Sequence, residues 1–245
     1  AYVIISAMAM LRPFHAYRYS RSLGFDFSNL IAPPYDVLDE SGKGELLQKN
    51  EFNIVDVDLP HLPAKTVGPD ETYASANTRL QQWISDGVLE RDHRAAFYPY
   101  EQTYTTHKRA HHRRGFFALV KLHPFGSGDV VPHEQTYKGP IEDRLKLMRA
   151  TGMQMSPIFG LFNDPKNEVT SALFASVGKP DISATLQGVK NDLWNVFDAA
   201  VESKVIDLMK GRPIYIADGH HRYTTALQYQ RECEIAAGGS GDPGQ

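Results

Sequence analysis

The segment whose residue types are best suited to binding or catalysis runs from Arg212 to Leu227. Strand-like apolar residues end there in Asp218-Gly219-His220-His221-Arg222, and a helix is expected to follow at once. Unpaired N–H groups and the positive end of the helix dipole make such a helix start suitable for an anion. Gly219 permits close backbone approach or a positive φ, and Arg222 can grip phosphate oxygens with two donors. We interpret this turn, with both histidines as further donors, as a phosphate-binding site.

Two other interpretations of the turn stay open. Asp218 could simply cap the helix, with both histidines solvated. Histidine is also a common metal ligand, but adjacent residues on a helix point about 100° apart. His220 and His221 are therefore poor partners for one transition-metal ion, and we assign no metal ligands from the sequence.

A second segment, Val130 to Arg144, carries a carboxylate that can act as a base. Strand-like residues lead into Pro132-His133-Glu134, and a turn and a helix follow. A glutamate at the end of a strand, beside His133, can serve as a general base or as an oxygen ligand for Mg²⁺. Arg144 lies in the first turn of the predicted helix, where it can reach a phosphate or pair with a carboxylate. The alternative is an ordinary surface loop, so this segment gains weight only beside the turn at 218–222.

The stretch Ala32-Pro33-Pro34-Tyr35-Asp36 is rigid, because proline fixes its own φ and restricts the residue before it. A rigid stretch can hold Tyr35 and Asp36 toward a cleft, and it can equally be a plain loop. Chemistry alone does not decide between these two interpretations.

Composition excludes several classes of protein. With 26 Lys+Arg against 29 Asp+Glu, the net charge is −3, which gives no general electrostatic reason to expect nucleic acid. The basic run His107–Arg114 is interpreted as a solvated hairpin tip, since no aromatic residue interleaves its charges. Cys233 is the only cysteine, which excludes internal disulfides and all-cysteine zinc sites and is typical of a cytoplasmic protein.

The ends of the chain carry no recognisable targeting signal. The apolar run Ala1–Leu11 is shorter than the roughly 20 residues of a membrane-spanning helix, and no basic stretch precedes it, so we expect no membrane association. Tyr2–Ser6 is predicted to be a buried strand. Gly238–Gln245 has the composition of a linker, which suggests a fragment of a longer protein.

The elements that position these residues form an α+β (mixed α/β) pattern. We predict a boundary near residue 95, between an N-terminal α/β region (1–95) and a phosphate-binding domain (96–245). A β-hairpin is expected from 96–104 and 115–122, with its polar tip between them. The other predicted strands are 157–162 and 213–217, and 182–189 is expected to be a strand or an irregular segment. The predicted helices are 43–49, 71–84, 141–150, 198–210 and 223–236.

Three segments together resemble a known family. Ile31–Val37, His133–Arg144 and Asp218–Tyr223, in this order, are similar to the domain-of-unknown-function-1015 proteins, which are cytosolic proteins of bacteria and archaea. The resemblance covers nearly the whole chain. Members of that family usually continue beyond the last motif, which implies that this chain is the N-terminal part of a longer protein.

The order of motifs is also similar to the ParB/sulfiredoxin superfamily, which includes nucleotide-dependent kinases of free serine. This resemblance implies a ParB/sulfiredoxin-like fold for 96–245, nucleotide phosphates on Gly219, His221 and Arg222, and a base at Glu134. Sulfiredoxins carry a reactive cysteine inside the turn, where this chain has His220. Sulfiredoxin chemistry is therefore not expected.

Together these patterns predict a phosphotransferase that uses ATP or another nucleotide, with Mg²⁺, to phosphorylate a small hydroxyl substrate such as free L-serine. The predicted catalytic residues are Glu134, His133 and Asp218; the phosphate-binding residues are Gly219, His220, His221, Arg222 and Arg144; the substrate-binding residues are Tyr35, Asp36 and Thr136. Asp218 and Asp36 are expected to orient metal or substrate. The alternatives are a non-catalytic, ParB-like nucleotide switch and a scaffold protein.

Overall fold

A computed structural model describes residues 10–238 of the chain. Its helices are α1 (Glu40–Lys49), α2 (Val55–Asp58), α3 (Asp70–Ser85), α4 (Lys138–Thr151), α5 (Glu168–Phe174), α6 (Ala199–Met209) and α7 (His220–Ala236). The predicted strand Tyr2–Ser6 and the linker residues 239–245 lie outside the described residues. Among the helices of residues 10–238, none has the length and apolar character needed to cross a membrane.

The strands of the described residues form four small sheets. They are β1 (Leu11–Arg12), β2 (Tyr17–Tyr19), β3 (Leu89–Arg91), β4 (Tyr98–Thr106), β5 (Arg109–Phe117), β6 (Leu119–Val120), β7 (Val130–Val131), β8 (Phe159–Leu161), β9 (Ile182–Leu186), β10 (Val189–Leu193) and β11 (Ile214–Asp218). The strand orders are β5-β4-β10-β9, β7-β11-β8, β1-β6 and β2-β3. Helices and strands of this mixture make the architecture α+β, as the sequence pattern predicts.

The sheet β7-β11-β8 carries the candidate site. β11 pairs in parallel with β7 and antiparallel with β8. Val130, Ile216 and Tyr223 form a buried cluster that packs this sheet against α7. Because β7 and β11 run in the same direction, the residues that follow both strands emerge at the same edge of the sheet.

Helix α4 lies between α7 and α3. On its α7 side, the hydroxyl of Thr225 donates to the carbonyl of Ile141 at 3.3 Å. On its α3 side, Leu147 joins the buried cluster that contains Tyr73 and Trp83. The spacing of apolar residues in 71–84 predicts this buried face of α3, and the structure confirms it. The division at residue 95 stays a prediction, since α3 and α4 pack together across it.

Two strand predictions are wrong in detail. The segment 182–189, predicted to be a strand or an irregular segment, belongs to the hairpin β9-β10, whose turn residues Gln187 and Gly188 both have positive φ. The run His107–Arg114 is not a loop tip either, because only His107 and Lys108 form the turn between β4 and β5. Two-residue turns with positive φ at both positions match the twist of a hairpin. The rest of the basic run is an exposed strand at the edge of its sheet.

Three helices begin three residues earlier than predicted. α1 starts at Glu40 instead of 43. α4 starts at Lys138 instead of 141, because Pro140 is tolerated within the first turn of a helix. α7 starts at His220 instead of 223, directly after Gly219 with φ 98°. The short helices α2 and α5 were not predicted.

Candidate functional site

The edge of the sheet where β7 and β11 end brings the two predicted site segments together. β7 is followed by Pro132-His133-Glu134, and β11 by Gly219 and α7. The N-cap position of α7 is Gly219, and no side chain of residues 10–238 caps this helix. Asp218 is therefore not the helix cap, and the first N–H groups of α7 are offered to a ligand.

Glu134 lies between two imidazoles. Its Oε2 is 3.5 Å from Nδ1 of His220, and its Oε1 is 3.7 Å from Nε2 of His133. The side chain of Glu134 is 61% exposed, whereas that of His220 is 1% exposed. An exposed carboxylate thus sits against a buried, fixed imidazole.

The buried ring of His220 is held by the backbone of the segment that follows β7. Its Nε2 accepts a hydrogen bond from the backbone N–H of His133 at 3.2 Å, and the two rings lie edge to face with centroids 4.5 Å apart. Burial lowers the pKa of His220 below 6.5, and the nearby His133 lowers it further. Glu134 and Asp218 oppose this effect in part. The ring is consequently kept neutral at physiological pH.

His221 faces the N-terminal segment of the chain. Its ring stacks on Tyr137 with centroids 5.9 Å apart. Burial, followed by the charge of Lys65, lowers the pKa of His221, while Glu134 and Asp36 raise it. Its Nε2 is buried and has no hydrogen-bond partner in residues 10–238.

Asp36, predicted from the rigid Pro-Pro stretch, does reach this site. Its Oδ2 lies 3.3 Å from Nζ of Lys65, and both charges act on His221. The sequence analysis did not identify Lys65, because this residue lies in an irregular loop without a motif and is distant in sequence from His221. Thr136 lies two residues after Glu134 in the loop before α4 and is partly exposed.

Arg222 is held away from solvent in this structure. Its Nη2 donates to Oδ2 of Asp218 at 2.6 Å, and its Nη1 donates to the carbonyl of Pro157. Its guanidinium lies over Gly219, where an added Cβ would be 3.0 Å from Cζ. Arg222 therefore lies beside the predicted phosphate-binding position, but its charge is paired with the carboxylate of Asp218.

Arg144 takes the second of its two predicted roles, pairing with carboxylates. Its Nε donates to Asp143 Oδ2 at 2.8 Å, and its Nη1 donates to the carbonyl of Asp58 at 2.6 Å. The guanidinium stacks on the ring of Tyr35 at 3.9 Å and is 6% exposed. Its Nη2 lacks a properly aligned hydrogen bond within residues 10–238. Arg144 and Arg222 both line a cavity of about 20 Å³.

Asp58 and Ser156 complete this buried network, and neither was predicted. Ser156 Oγ donates to Asp58 Oδ2 at 2.6 Å. Tyr73 donates to Asp143 at 2.7 Å. Tyr35, which the sequence predicts to bind substrate, is buried, and the guanidinium of Arg144 covers its ring.

Three side chains of the site have a geometry that a metal could use. Donor atoms of His133, Glu134 and His220 lie within 4.8 Å of one another. Two imidazoles and a carboxylate suit Zn²⁺, whereas Mg²⁺ takes oxygen ligands. A ligating histidine normally donates its other ring N–H to an acceptor, but Nε2 of His220 faces the N–H of His133. Nδ1 must therefore carry the proton, and the arrangement suits proton handling better than metal binding.

Gly219→Ala is expected to destabilise the protein and to disturb Arg222. A Cβ at φ 98° is strained by about 1–2 kcal/mol, and it would push the guanidinium off Asp218. Gly44→Ala is the matched control, because Gly44 lies inside α1 with open space around it. Alanine there should stabilise the protein by about 0.5–1 kcal/mol. Urea unfolding measures both changes, and equal effects of the two substitutions would refute the assigned role of Gly219.

Comparison with known proteins gives a family for the chain. The family described as "Protein of unknown function (DUF1015)" matches residues 11–244. No curated protein and no solved structure matches significantly. The matched residues include all three segments that meet at the site described above. The chain therefore belongs to the DUF1015 family.

Proposed function

We propose that this protein is a nucleotide-dependent phosphotransferase that acts on a small hydroxyl substrate, with free L-serine as the first acceptor to test. One observation carries the proposal. The carboxylate of Glu134 lies 3.5 Å from His220, the first residue of a helix whose N-terminus has no side-chain cap. A candidate base and a candidate anion-binding site thus lie at the same edge of the sheet. Phosphoryl transfer requires these two functions close together.

The phosphates of the nucleotide would lie at the start of α7. The backbone N–H groups of its first turn have no partner inside the helix, so they can bind phosphate oxygens. Arg222 lies at this position, and Lys65 is near enough for its charge to lower the pKa of His221; each of the two cations is paired with one aspartate. Phosphate oxygens would replace Asp218 and Asp36 as partners of these two cations.

In the proposed reaction the substrate hydroxyl attacks the terminal phosphorus of the nucleotide. A new O–P bond forms, the P–O bond to the nucleoside diphosphate breaks, and the hydroxyl proton passes to Glu134. Glu134 has room for this role because its side chain is 61% exposed, and the imidazole of His133 beside its Oε1 is itself 57% exposed. The proton then leaves to solvent.

The donor atoms that residues 10–238 group around Glu134 are not the oxygen set that Mg²⁺ prefers. The donor set contains two imidazoles, and Mg²⁺ favours oxygen ligands and usually comes with substrate phosphates. We therefore propose that Mg²⁺ enters with the nucleotide. A cytoplasmic location and a ParB/sulfiredoxin-like fold remain part of the proposal, on the strength of the resemblance.

The second candidate function is a nucleotide-binding switch without catalysis. It is favoured by the pairing of Arg222 with Asp218 and with the carbonyl of Pro157. A nucleotide that draws Arg222 out would release the segment around Pro157, which leads into β8. Such a coupled movement would report the bound state to a partner.

Calorimetry and product analysis test both functions. Calorimetric titration with ATP, ADP and CTP, each with and without Mg²⁺, measures nucleotide binding. Phosphorus NMR after incubation with ATP or ADP and L-serine measures transfer. We expect binding and a phosphomonoester product. Binding without any product would support the switch, and absence of binding by all three nucleotides would overturn both functions.

A further inference from the structure

The hydrogen bond to His220 determines which ring nitrogen carries its proton. Nε2 accepts from the backbone N–H of His133 at 3.2 Å, so Nε2 has its lone pair in that bond. A neutral imidazole with Nε2 as acceptor has its hydrogen on Nδ1. Since the ring is buried and its pKa is lowered, the neutral form prevails near pH 7.

Nδ1 is the ring nitrogen of His220 that lies beside Glu134. It is 3.5 Å from Oε2, outside the geometry of a hydrogen bond. The imidazole is the fixed partner, because it is 1% exposed and anchored at Nε2. The carboxylate is the movable partner. Such contacts commonly tighten when a substrate binds.

We propose that His220 is a positioning residue, which donates its Nδ1–H to Oε2 of Glu134 and leaves Oε1, 3.7 Å from Nε2 of the exposed His133, to take a proton. The catalytic consequence rests on the phosphotransferase function proposed above. Without this donor the exposed carboxylate would sample several rotamers, and fewer of them would face the hydroxyl of a substrate. The side chain of His220 thus acts through Glu134, while only its backbone N–H belongs to the proposed phosphate-binding position.

A metal at the same three side chains is the competing explanation. Coordination through Nδ1 of His220 would move the ring hydrogen to Nε2, where it would meet the N–H of His133. Two donors would then face each other in a buried position, which is unfavourable. The two explanations therefore predict opposite tautomers of His220.

Nitrogen-15 NMR of the full chain at pH 7.5 distinguishes the tautomers without any measurement of activity. We expect the Nδ1-protonated form of His220, assigned by its absence in His220→Gln. Titration with ZnCl₂ should leave this signal unchanged. An Nε2-protonated ring, or a shift of the signal on addition of stoichiometric Zn²⁺, would overturn the proposal.

Two substitutions separate the donor to Glu134 from the support of the backbone. His220→Asn places an amide N–H near Nδ1 and keeps a donor for Glu134. His220→Gln places an amide oxygen near Nε2 and keeps the acceptor for His133, but it loses the donor. We expect kcat to fall about tenfold in His220→Gln, with the KM for nucleotide unchanged, and to be largely retained in His220→Asn.

The outcomes of this comparison are distinguishable from a failure of the proposed function. Greater loss in His220→Asn than in His220→Gln would overturn the proposal, because it would mean that the ring serves only the backbone of His133. If the unsubstituted protein transfers no phosphate, the phosphotransferase function fails, and with it the catalytic consequence. The NMR result still decides in that case whether Nδ1 of His220 carries the ring hydrogen.

Discussion

Glu134→Gln is expected to lower phosphoryl transfer by about 10²–10⁴-fold, while nucleotide binding stays unchanged. Glutamine has the same shape as glutamate and keeps an oxygen for the Nδ1–H of His220, but it cannot take the proton of the substrate hydroxyl. Nucleotide affinity should be retained, because the proposed phosphate contacts come from the start of α7, Arg222 and Lys65. Transfer rates by phosphorus NMR and affinities by calorimetry measure the two effects separately.

Glu142→Gln is the matched control for this experiment. Glu142 lies on α4, its side chain is 48% exposed, and its contact is Arg149 at 3.6 Å. The control removes one negative charge from a neighbouring element without touching the edge where β7 and β11 end. Similar losses of transfer in both variants would show that net charge matters and that Glu134 is not the base.

The meeting of Glu134 with the turn at 218–222 follows from features that a sequence can show. Both segments come directly after short apolar strands, and parallel pairing of those strands places their ends together. From the sequence, the Pro-His-Glu segment is interpreted as a site only together with the turn at 218–222. The structure brings these two segments to the same edge of the sheet.

Other parts of the site depend on pairing across the fold and have no local signal. Lys65 reaches His221 from an irregular loop that shows neither periodicity nor a motif. The partners of Arg144 lie on α2 and α4, and a four-residue helix such as α2 leaves little trace in hydrophobic spacing. The tautomer of His220 depends on one backbone N–H from a distant strand end. Sequence patterns carry periodicity and turn chemistry, but not such long-range polar partners.

Arg144→Met is expected to destabilise the protein by about 3–5 kcal/mol, because it leaves Asp58 and Asp143 buried without their cation. Both carboxylates contact the guanidinium, which is 6% exposed. Methionine fills a similar volume, so loss of packing contributes less to the change. Arg149→Met on the same helix is the control: Arg149 is 43% exposed and pairs with Glu232 at the surface. The control should lose no more than about 1 kcal/mol.

The loss in Arg144→Met should grow with pH, and this dependence identifies its cause. Burial raises the pKa of Asp58, and Arg144 counteracts this effect in the unsubstituted protein. Without Arg144 the folded pKa rises further above that of the unfolded chain. As pH increases between those two values, the unfolded state releases its proton first, so the free energy of unfolding falls by up to about 1.4 kcal/mol per pH unit. Urea unfolding at pH 5 and pH 8 should therefore give a larger deficit at pH 8. A deficit independent of pH would mean that lost packing against Tyr35, and not the buried charge of Asp58, explains the change.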